Sequence, residues 1–444
     1  MEKFIMATAG QKQQSELSSR IFFVLGALIV CRIGTYVPLP GIDPVALEDI
    51  FKQQSGGILG MFDMFSGGAL SRMSVFALNI MPYISASIIM QLSTAIFPYM
   101  EEVKKEGATG QRKITQWTRY LTVLLAMGQG FGMAAGLEGL TTSSGASAVI
   151  DPGMMFRMST VVTLLGGTLF LMWLGEQITQ RGIGNGISLI IYAGIVANLP
   201  SALASLFELG RTGALSTAFI VFLIVMAVAV IYFIVFMERS FRRMTIQYPK
   251  RQVGMQVMGG QTSHMPIKIN TSGVIPPIFA SSLLLLPLTF AGFVGQDSPE
   301  WLQALSAQLG RGQIGFMVAY GLLIVFFCFF YTTIVFNAKE TSENLRKNGA
   351  IVPGYRPGAM TSEYFEYVLS RITVIGSAYL LFVCLLPEFL VSKYSVPFYF
   401  GGTSLLIVVT VTMDTMIQIQ SHTYAKQYAN LMNKKQNKQK RFNR

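Results

Sequence analysis

Charged residues are scarce in this sequence. Of its 444 residues, 13% are Asp, Glu, Lys or Arg, whereas a typical soluble domain carries about 25%. Hydrophobic residues make up 52% of the chain. A composition this apolar excludes a disordered chain, because the apolar side chains would bury themselves. The scarcity of charge therefore indicates a helical membrane protein.

Cysteine and histidine are also rare. Three Cys residues cannot form the disulfide framework of a small secreted protein. Cys31, Cys328 and Cys384 lie within apolar runs at no metal-ligand spacing, and His264 and His422 lie outside those runs. The sequence has no G-x-x-x-x-G-K-[ST] phosphate motif and no H-E-x-x-H zinc motif. We therefore expect no catalytic site, no metal and no cofactor, so energy must come from a partner or from the membrane potential.

Ten apolar runs are long enough to cross a bilayer. A hydrocarbon core of about 30 Å requires about 20 residues of α-helix. No run has the short apolar region and cleavage site of a signal peptide, so we expect the polar start to stay attached. The sequence thus predicts an all-α membrane protein with ten transmembrane helices. The predicted spans are Ile21–Pro38, Val75–Pro98, Thr118–Leu137, Met158–Ile178, Ile187–Leu206, Leu215–Met237, Gly273–Val294, Gln313–Phe336, Arg371–Phe389 and Pro397–Met416.

Lys and Arg residues are distributed unevenly between the two sides of the predicted bundle. If the N-terminus is cytoplasmic, most of the 34 Lys and Arg residues fall on the cytoplasmic side, as the positive-inside rule requires. An even number of spans then places both termini in the cytoplasm. The opposite side receives only Arg32, Lys52, Arg72, Arg157, Arg211, Arg311 and Lys393.

Five predicted spans precede a short outer connection and five follow it. Because five is odd, structural repeats in the two halves would have inverted topologies. We therefore expect two inverted five-helix halves. The expected segments are a cytoplasmic tail at 1–20, a first half at 21–206, an outer hinge loop at 207–214, a second half at 215–417 with basic cytoplasmic loops at 238–270 and 337–370, and a basic cytoplasmic tail at 418–444.

The predicted spans contain almost no titratable groups at mid-depth. Gradient-driven transporters carry such groups there, and an intramembrane protease needs a Ser–His, paired-Asp or metal constellation. Glu176 and Asp414 lie at cytoplasmic ends, and Glu388 lies at an outer end. Arg32, past the middle of the first span, is interpreted as snorkelling to the outer interface. This pattern argues against both of these function classes.

The stretch Ile58–Leu70 is apolar but short. As a helix it would extend about 20 Å, too little to cross the bilayer. Gly67 and Gly68 form a natural hinge within it. The residues alone are compatible with a short, movable helix folded back into the protein and with an interfacial helix on the outer leaflet.

Three alternating glycines precede the fifth span, in Arg181–Ile187. Such a pattern permits close approach of backbones or a nest of N–H groups at a helix start. The pattern does not predict a dinucleotide-binding site, because the βαβ context that such a site requires is missing.

Pairs of residues one helical turn apart mark the second and fifth spans. Residues at this spacing share a helix face. Polar pairs favour helix packing, whereas aliphatic side chains projecting into a constriction would form a dewetted gate that is tight to ions. The pairs are Ile80 with Ile84, Ile187 with Ile191, and Ser87 with Gln91.

The two large cytoplasmic loops are strongly basic. The positive-inside rule alone explains such charge, but a docking surface for an anionic partner such as rRNA or an acidic protein explains it equally. The motif Gly354–Gly358 predicts a rigid loop tip that presents Arg356. The basic cluster of the first loop consists of Arg239, Arg242, Arg243, Lys250 and Arg251.

Ten motifs along the chain are shared with one known family. They are Arg32–Gly41, Met64–Arg72, Met81–Ile88, Lys104–Gly107, Trp173–Thr179, Arg181–Ser188, Gly273–Ile278, Phe336–Asn337, Gly354–Gly358 and Pro397–Ile407. Through these motifs, in this order, the chain resembles the SecY family over nearly its whole length. Members of that family are the channel subunits of the bacterial protein-export translocon.

The resemblance implies a central pore between the two halves, with several groups of site residues. An aliphatic pore ring would comprise Ile80, Ile84, Ile187, Ile191, Ile278 and Ile407. A plug closing the channel from outside would include Ile58, Leu59, Met61, Phe62, Met64, Phe65, Ser66, Gly67 and Gly68. A lateral gate between spans two, three, seven and eight would be lined by Ser85, Ser87, Gln91, Ser281 and Ser282.

The resemblance also implies partners. The SecA ATPase motor or a translating ribosome, through its rRNA, would dock on the basic loops and supply the energy. The small membrane subunits SecE and SecG would bind the channel, and an unfolded preprotein with its signal sequence would pass through it or leave sideways into the lipid bilayer of the inner membrane. The implied docking residues are Arg239, Arg242, Arg243, Lys250, Arg251 and Arg356. One departure is Met255-Gln256, where the family usually carries a basic pair.

Overall fold

The described chain is mostly helical, as predicted. The computed structural model describes residues 2–43, 47, 63, 66–139, 147–213, 216–248, 251–253, 256–258, 262–294, 313–394 and 402–442. The helices before the first large loop are α1 (Glu2–Gly34), α2 (Met81–Ile96), α3 (Pro98–Lys105), α4 (Ala108–Glu138), α5 (Met154–Arg181), α6 (Gly186–Arg211) and α7 (Thr217–Glu238). Those after it are α8 (Ile275–Val294), α9 (Ile314–Val335), α10 (Ala338–Lys347), α11 (Ala359–Tyr394) and α12 (Gly402–Phe442).

Most of the predicted spans correspond to long helices. Within the described ranges, eight helical segments are long and apolar enough to cross a membrane. They cover predicted spans one, three to six and eight to ten. The second span corresponds to the 16-residue α2, which is shorter than such a helix. The seventh corresponds to the 20-residue α8, whose side chains are described over Ile275–Leu284. The described residues therefore contain eight crossing helices and two further apolar helices at the positions of the ten predicted spans.

The second predicted span begins later than expected. Val75 was expected to start the helix, but α2 starts at Met81, and residues 71–80 form successive turns. Met73 and Asn79 have positive φ values of 39° and 50°, which an α-helix does not accommodate. Both residues are buried, at 1% and 8% exposure. Irregular backbone at membrane depth is tolerated only where protein or a cavity surrounds it, and the burial meets this condition.

The outer connection is shorter than predicted. Helix α6 continues to Arg211, so the helix covers much of the predicted 207–214 loop. The next helix, α7, begins at Thr217, and the Ser216 side chain accepts a hydrogen bond from the N–H of Phe219. A serine N-cap of this kind satisfies one of the free N–H groups of the first turn. The connection therefore lies between Arg211 and Thr217.

The loop at 238–270, predicted to be cytoplasmic, differs from an all-α prediction because it contains strands. They are β1 (Phe241–Gln247), β2 (Arg251–Val253), β3 (Gln256–Met258) and β4 (Thr262–Lys268). Strands β1 and β4 pair antiparallel, and β2 pairs with β3. Met244 and Ile246 of β1 are buried between more exposed neighbours, which is the alternation expected of a strand with one covered face.

The second loop predicted to be cytoplasmic, at 337–370, also contains regular secondary structure. Helix α10 starts at an Asn337 N-cap whose side chain accepts a hydrogen bond from the N–H of Glu340. Helix α11 starts at Ala359, well before Arg371, where the ninth span was predicted to begin. The predicted loop 337–370 is therefore largely helical.

The chain forms two compact units. The first unit comprises residues 1–83, 119–200 and 407–444, and the second comprises 84–118 and 201–406. This division separates the chain near the predicted hinge, but it assigns part of each predicted half to the other unit. The predicted five-helix halves therefore remain a prediction.

Each unit has its own buried core. In the first unit α1 packs on α5, and in the second α8 packs on α9, which in turn packs on α11. Helices α7 and α10 also contact α11. The core of the first unit is Leu39, Leu47, Leu70, Met73, Ala77, Leu78, Ala134, Leu137, Ala148, Val149, Phe156 and Leu164. A core of the second unit is Met244, Ile267, Ala338, Val352, Phe365, Val368, Leu369 and Ile372.

Two adjacent glycines in α5 have opposite surroundings. A Cβ added at Gly167 would overlap the carbonyl oxygen of Val75, whereas a Cβ added at Gly166 would meet nothing within 4 Å. Because helices in lipid gain no hydrophobic driving force from each other, close backbone approach at small residues contributes strongly to their packing. Gly167 is therefore required for this approach, and Gly166 is not.

We predict that Gly167→Ala lowers the stability of the protein by about 1–3 kcal/mol, the usual cost of overpacking. The adjacent Gly166→Ala is the matched control, and alanine there should be neutral or stabilising by up to about 1 kcal/mol because it favours the helix. Thermal unfolding in mild detergent measures both variants. Equal unfolding midpoints for the two would contradict the close approach at Gly167.

Candidate functional site

The residues of the predicted pore ring belong to several elements. Ile80 directly precedes α2 and Ile84 lies in its first turn, Ile187 and Ile191 lie in the first turns of α6, and Ile278 and Ile407 lie in the first turns of α8 and α12. Four of them are buried, and Ile187 and Ile278 are half-buried. None of the six is among the exposed hydrophobic side chains. Protein therefore covers four of the six side chains almost completely, and the ring itself stays a prediction.

The glycine motif before α6 forms a tight turn in the first unit. Gly184 has a φ of +88°, and its N–H donates to Oε1 of Gln418 at 2.7 Å. A Cβ added at Gly186 would overlap the carbonyl oxygen of Gly175 in α5, while the Gly186 N–H donates to Oγ1 of Thr179 at 2.9 Å. Of the two interpretations of this motif, close backbone approach is the one that the contacts support. The turn fixes where α6, with its two ring isoleucines, begins.

Part of the predicted plug lies outside the described residues. This applies to Ile58, Leu59, Met61, Phe62, Met64 and Phe65. Its C-terminal end is described: Ser66 is buried, and Gly67 and Gly68 have φ values of +69° and +83°. The Asp63 carboxylate accepts a hydrogen bond from the N–H of Ser71 at 2.8 Å. Two consecutive left-handed residues favour glycine, so the Gly67-Gly68 pair serves as a sharp turn.

Arg32 contacts this turn. Its Nη1 donates to the carbonyl oxygen of Gly67 at 2.6 Å, and its Nη2 donates to the hydroxyl of Tyr36 at 3.1 Å. Sequence reasoning assigned Arg32 only a snorkelling role. The spacing along the chain gave no signal for the Gly67 contact, because 35 residues separate the two groups.

The predicted lateral-gate residues lie in α2 and α8. In α2, the Gln91 side chain donates to the hydroxyl of Ser87 at 3.1 Å, and Ser85 is buried. In α8, the Ser281 hydroxyl donates to the carbonyl oxygen of Ile278 at 2.9 Å. The Ser282 hydroxyl is buried and, within the part of the chain that the structure describes, has no hydrogen-bond partner. Their role at a gate stays a prediction.

The predicted docking residues lie in the second unit. Arg239 caps α7, Arg242 and Arg243 lie on β1, and all three are exposed, as is Arg356. Arg251 begins β2, and Lys250 lies outside the described residues.

Backbone hydrogen bonds connect the two basic loops. Gln247 at the end of β1 and Ile351 exchange both N–H···O bonds at 2.9 Å. Near the loop tip, the rings of Tyr355 and Tyr364 stack with centroids 4.1 Å apart, and the Ser342 hydroxyl donates to the carbonyl oxygen of Gly358 at 2.6 Å. These contacts hold the loop of Arg356 beside the strand that carries Arg242 and Arg243, in one platform.

A short helix, α3, follows the C-terminal end of α2. Proline occupies the start of α3, where its missing N–H costs no helical hydrogen bond. Glu101 and Lys105 form an exposed ion pair at 2.8 Å. The hydrogen bond from Lys105 lowers the pKa of Glu101, and the same bond raises the pKa of Lys105. Because both groups are fully exposed, this pair adds little to stability.

The SecY family model matches residues 74–416 of this sequence. The chain belongs to the SecY family. The protein translocase subunit SecY of Rickettsia typhi (strain ATCC VR-144 / Wilmington) is 54% identical over 424 residues, which is 96% of this chain and 98% of that protein. The similarity therefore covers nearly the full length of both chains.

Solved structures share the SecY fold. A structure of SecY, described as showing that the plug domain stabilises the closed state of the translocation channel and maintains a membrane seal, matches with a TM-score of 0.66 and 16% identity over 92% of each chain. Sec61 in a canine ribosome–channel complex from the endoplasmic reticulum matches with a TM-score of 0.57 and 16% identity over 92% of this chain and 93% of that one. At this identity the similarity concerns the fold.

A buried polar cluster that sequence reasoning missed precedes α8 in this SecY family member. The buried Glu238 carboxylate at the end of α7 accepts a hydrogen bond from the Asn270 amide at 2.6 Å and from the Tyr379 hydroxyl at 3.5 Å. Asn270 also accepts from the Ser272 hydroxyl at 3.0 Å. The feature of the sequence that could have indicated this cluster is the polar stretch Asn270–Gly273, which directly precedes an apolar run. The cluster fixes the start of α8, which carries Ile278 and the gate serines.

We predict that Glu238→Ala lowers the stability by about 1–3 kcal/mol, because it removes the acceptor of a buried amide. Glu208→Ala is the control, since that carboxylate is exposed on α6 and should change stability by less than about 0.5 kcal/mol. Thermal unfolding in detergent compares the two. A midpoint for the first variant equal to that of the control would show that the cluster does not position α8.

Proposed function

We propose that the chain is a gated protein-conducting channel, the channel subunit of a bacterial protein translocase rather than an enzyme. The observation that carries this proposal is the match to the SecY family and to a curated SecY over nearly the full length of both chains. The channel would move unfolded secretory polypeptides across the membrane and release transmembrane segments sideways into the bilayer.

An aliphatic constriction suits this task. A passing polypeptide presents every kind of side chain, so the constriction must neither bind a charge nor reject one. Isoleucine side chains contribute no fixed charge, and they dewet when the path is empty, which excludes ions. The burial of Ile80, Ile84, Ile191 and Ile407 supports positions inside the protein. The plug would add a second seal from the outer side.

Lateral release requires helices that can separate. In the proposed gate, α2 and α8 carry small or polar residues such as Ser85, Ser87 and Ser281 where a lipid-facing helix would carry larger apolar ones. Small and hydroxylated side chains let helices approach closely and form hydrogen bonds of about 1 kcal/mol between them, weak enough to be broken when the helices separate. When α2 and α8 separate, a signal sequence, itself an apolar helix, would fill the space between them.

The driving force comes from partners. SecA, driven by ATP hydrolysis, or the ribosome would dock on the cytoplasmic platform, which the exposed Arg242, Arg243 and Arg356 make strongly positive. The Sec61 relative of known structure is part of a ribosome–channel complex, which supports a ribosome as one partner. SecE and SecG follow from family membership as small membrane subunits.

The proposed location is the bacterial inner membrane, with many membrane crossings and both termini in the cytoplasm. The concentration of Lys and Arg in the tails and in loops 238–270 and 337–370 supports this orientation. The relative from Rickettsia typhi is a bacterial protein, which agrees with that membrane.

We predict that replacing Ile84 and Ile191 by serine raises the resting ion conductance of the purified channel complex in planar bilayers, because hydroxyl groups wet the constriction. The control replaces Ile29 and Ile375, which are 60% and 54% exposed, by serine and should leave the conductance unchanged. A resting conductance equal to that of the control would remove both isoleucines from the ring.

We predict that Arg356→Glu slows SecA-driven translocation of a preprotein into vesicles by about tenfold or more, because a reversed charge repels an anionic docking surface. Arg211→Glu makes the same charge change at an exposed residue of the predicted outer side and should have no effect. Normal translocation with Arg356→Glu would exclude this residue from the docking surface.

A further inference from the structure

The C-terminal end of the plug is held against two helices of the first unit. Arg32 of α1 donates to the Gly67 carbonyl oxygen at 2.6 Å. On the other side, a Cβ added at Gly67 would lie 2.9 Å from the Cα of Gly194 in α6. The Asn198 amide of α6 donates to the carbonyl oxygen of Asp63 at 3.5 Å. The turn thus lies between α1 and α6.

Hydrogen bonds within the turn join its described residues to one another. Asp63 Oδ1 accepts from the N–H of Ser71, and the Asp63 carbonyl oxygen accepts from the N–H of Gly68 at 3.1 Å. The Ser66 hydroxyl accepts from the N–H of Leu70 at 3.2 Å. A force that holds Gly67 in place therefore also holds Asp63 and Ser66.

Arg32 provides the charged contact to this turn. It is half-buried, and a hydrogen bond from a charged donor is stronger than one between neutral groups. The guanidinium is held in position by its second bond, to Tyr36, and it lies 5.0 Å from the centre of that ring. A side chain that only snorkelled to the interface would require neither a fixed orientation nor a backbone acceptor 35 residues away.

We propose that Arg32 is a positioning residue for gating: its bond to Gly67 anchors the end of the plug and stabilises the resting channel. This inference rests on the proposed function. Because the bond must break whenever the turn leaves α1, its loss increases the open population without touching the conduction path. Arg32 therefore sets how readily the channel opens.

The test compares Arg32→Ala with Arg72→Ala in the purified channel complex. Arg72 lies over the same Tyr36 ring at 4.3 Å, so its replacement removes a nearby positive charge and leaves the bond to Gly67. We expect Arg32→Ala to raise resting conductance in planar bilayers about 10- to 100-fold, as loss of a charged hydrogen bond implies. Amide hydrogen exchange should rise in residues 66–74, while the thermal unfolding midpoint stays close to that of the parent protein.

Arg32→Lys keeps the charge but has a single donor nitrogen in place of the two that bond Gly67 and Tyr36. Its conductance should therefore lie between those of the parent protein and the alanine variant, and it decides the case if the alanine variant does not fold. Parent-like conductance in both Arg32 variants would overturn the inference, and so would equal leakage in Arg32→Ala and Arg72→Ala. Preprotein translocation by the parent protein, measured in the same vesicles, tests the proposed function separately. If the parent protein translocates a preprotein but the Arg32 variants show the parent's resting conductance, the proposed function stands and only the role of Arg32 is refuted.

Discussion

The absence of water around the membrane-spanning backbone constrains every other feature of this chain. A peptide group in hydrocarbon must find its hydrogen-bond partner within the protein, and long helices satisfy this requirement one residue after another. Where the backbone departs from a helix, at residues 71–80, the buried Met73 and Asn79 show that protein surrounds it. The strands β1–β4 occur in a loop between two apolar helices, where water can satisfy the free edges.

Close approach between backbones is the second kind of contact that stabilises the interior of each unit. Gly167 lies against Val75, Gly186 against Gly175, and Gly402 against Val383. Since lipid tails are as apolar as leucine, helices gain little from burying apolar side chains against each other, and contact between backbones contributes instead. At Gly67 the same kind of contact brings the turn at the end of the predicted plug against α6.

Local patterns in the sequence predicted the apolar spans well because a span is a local property: composition over about 20 residues decides it. The same reasoning failed at Val75, where positive φ values at Met73 and Asn79 delay the helix to Met81. It also failed for the first cytoplasmic loop, since strand β1 depends on pairing with β4 about 20 residues away. The contact between Arg32 and Gly67 and the Glu238–Asn270 cluster were missed for the same reason, because both join distant parts of the chain.

The sequence by itself determined that this is a membrane protein, where its apolar helices lie and, through ten motifs, its resemblance to the SecY family; these follow from composition and from the order of residues. Only the tertiary structure decided which polar groups meet. Hydrogen bonds such as those of Arg32 with Gly67, or of Gln247 with Ile351, act over about 3 Å, and nothing in the spacing along the chain specifies which groups the fold brings within that distance.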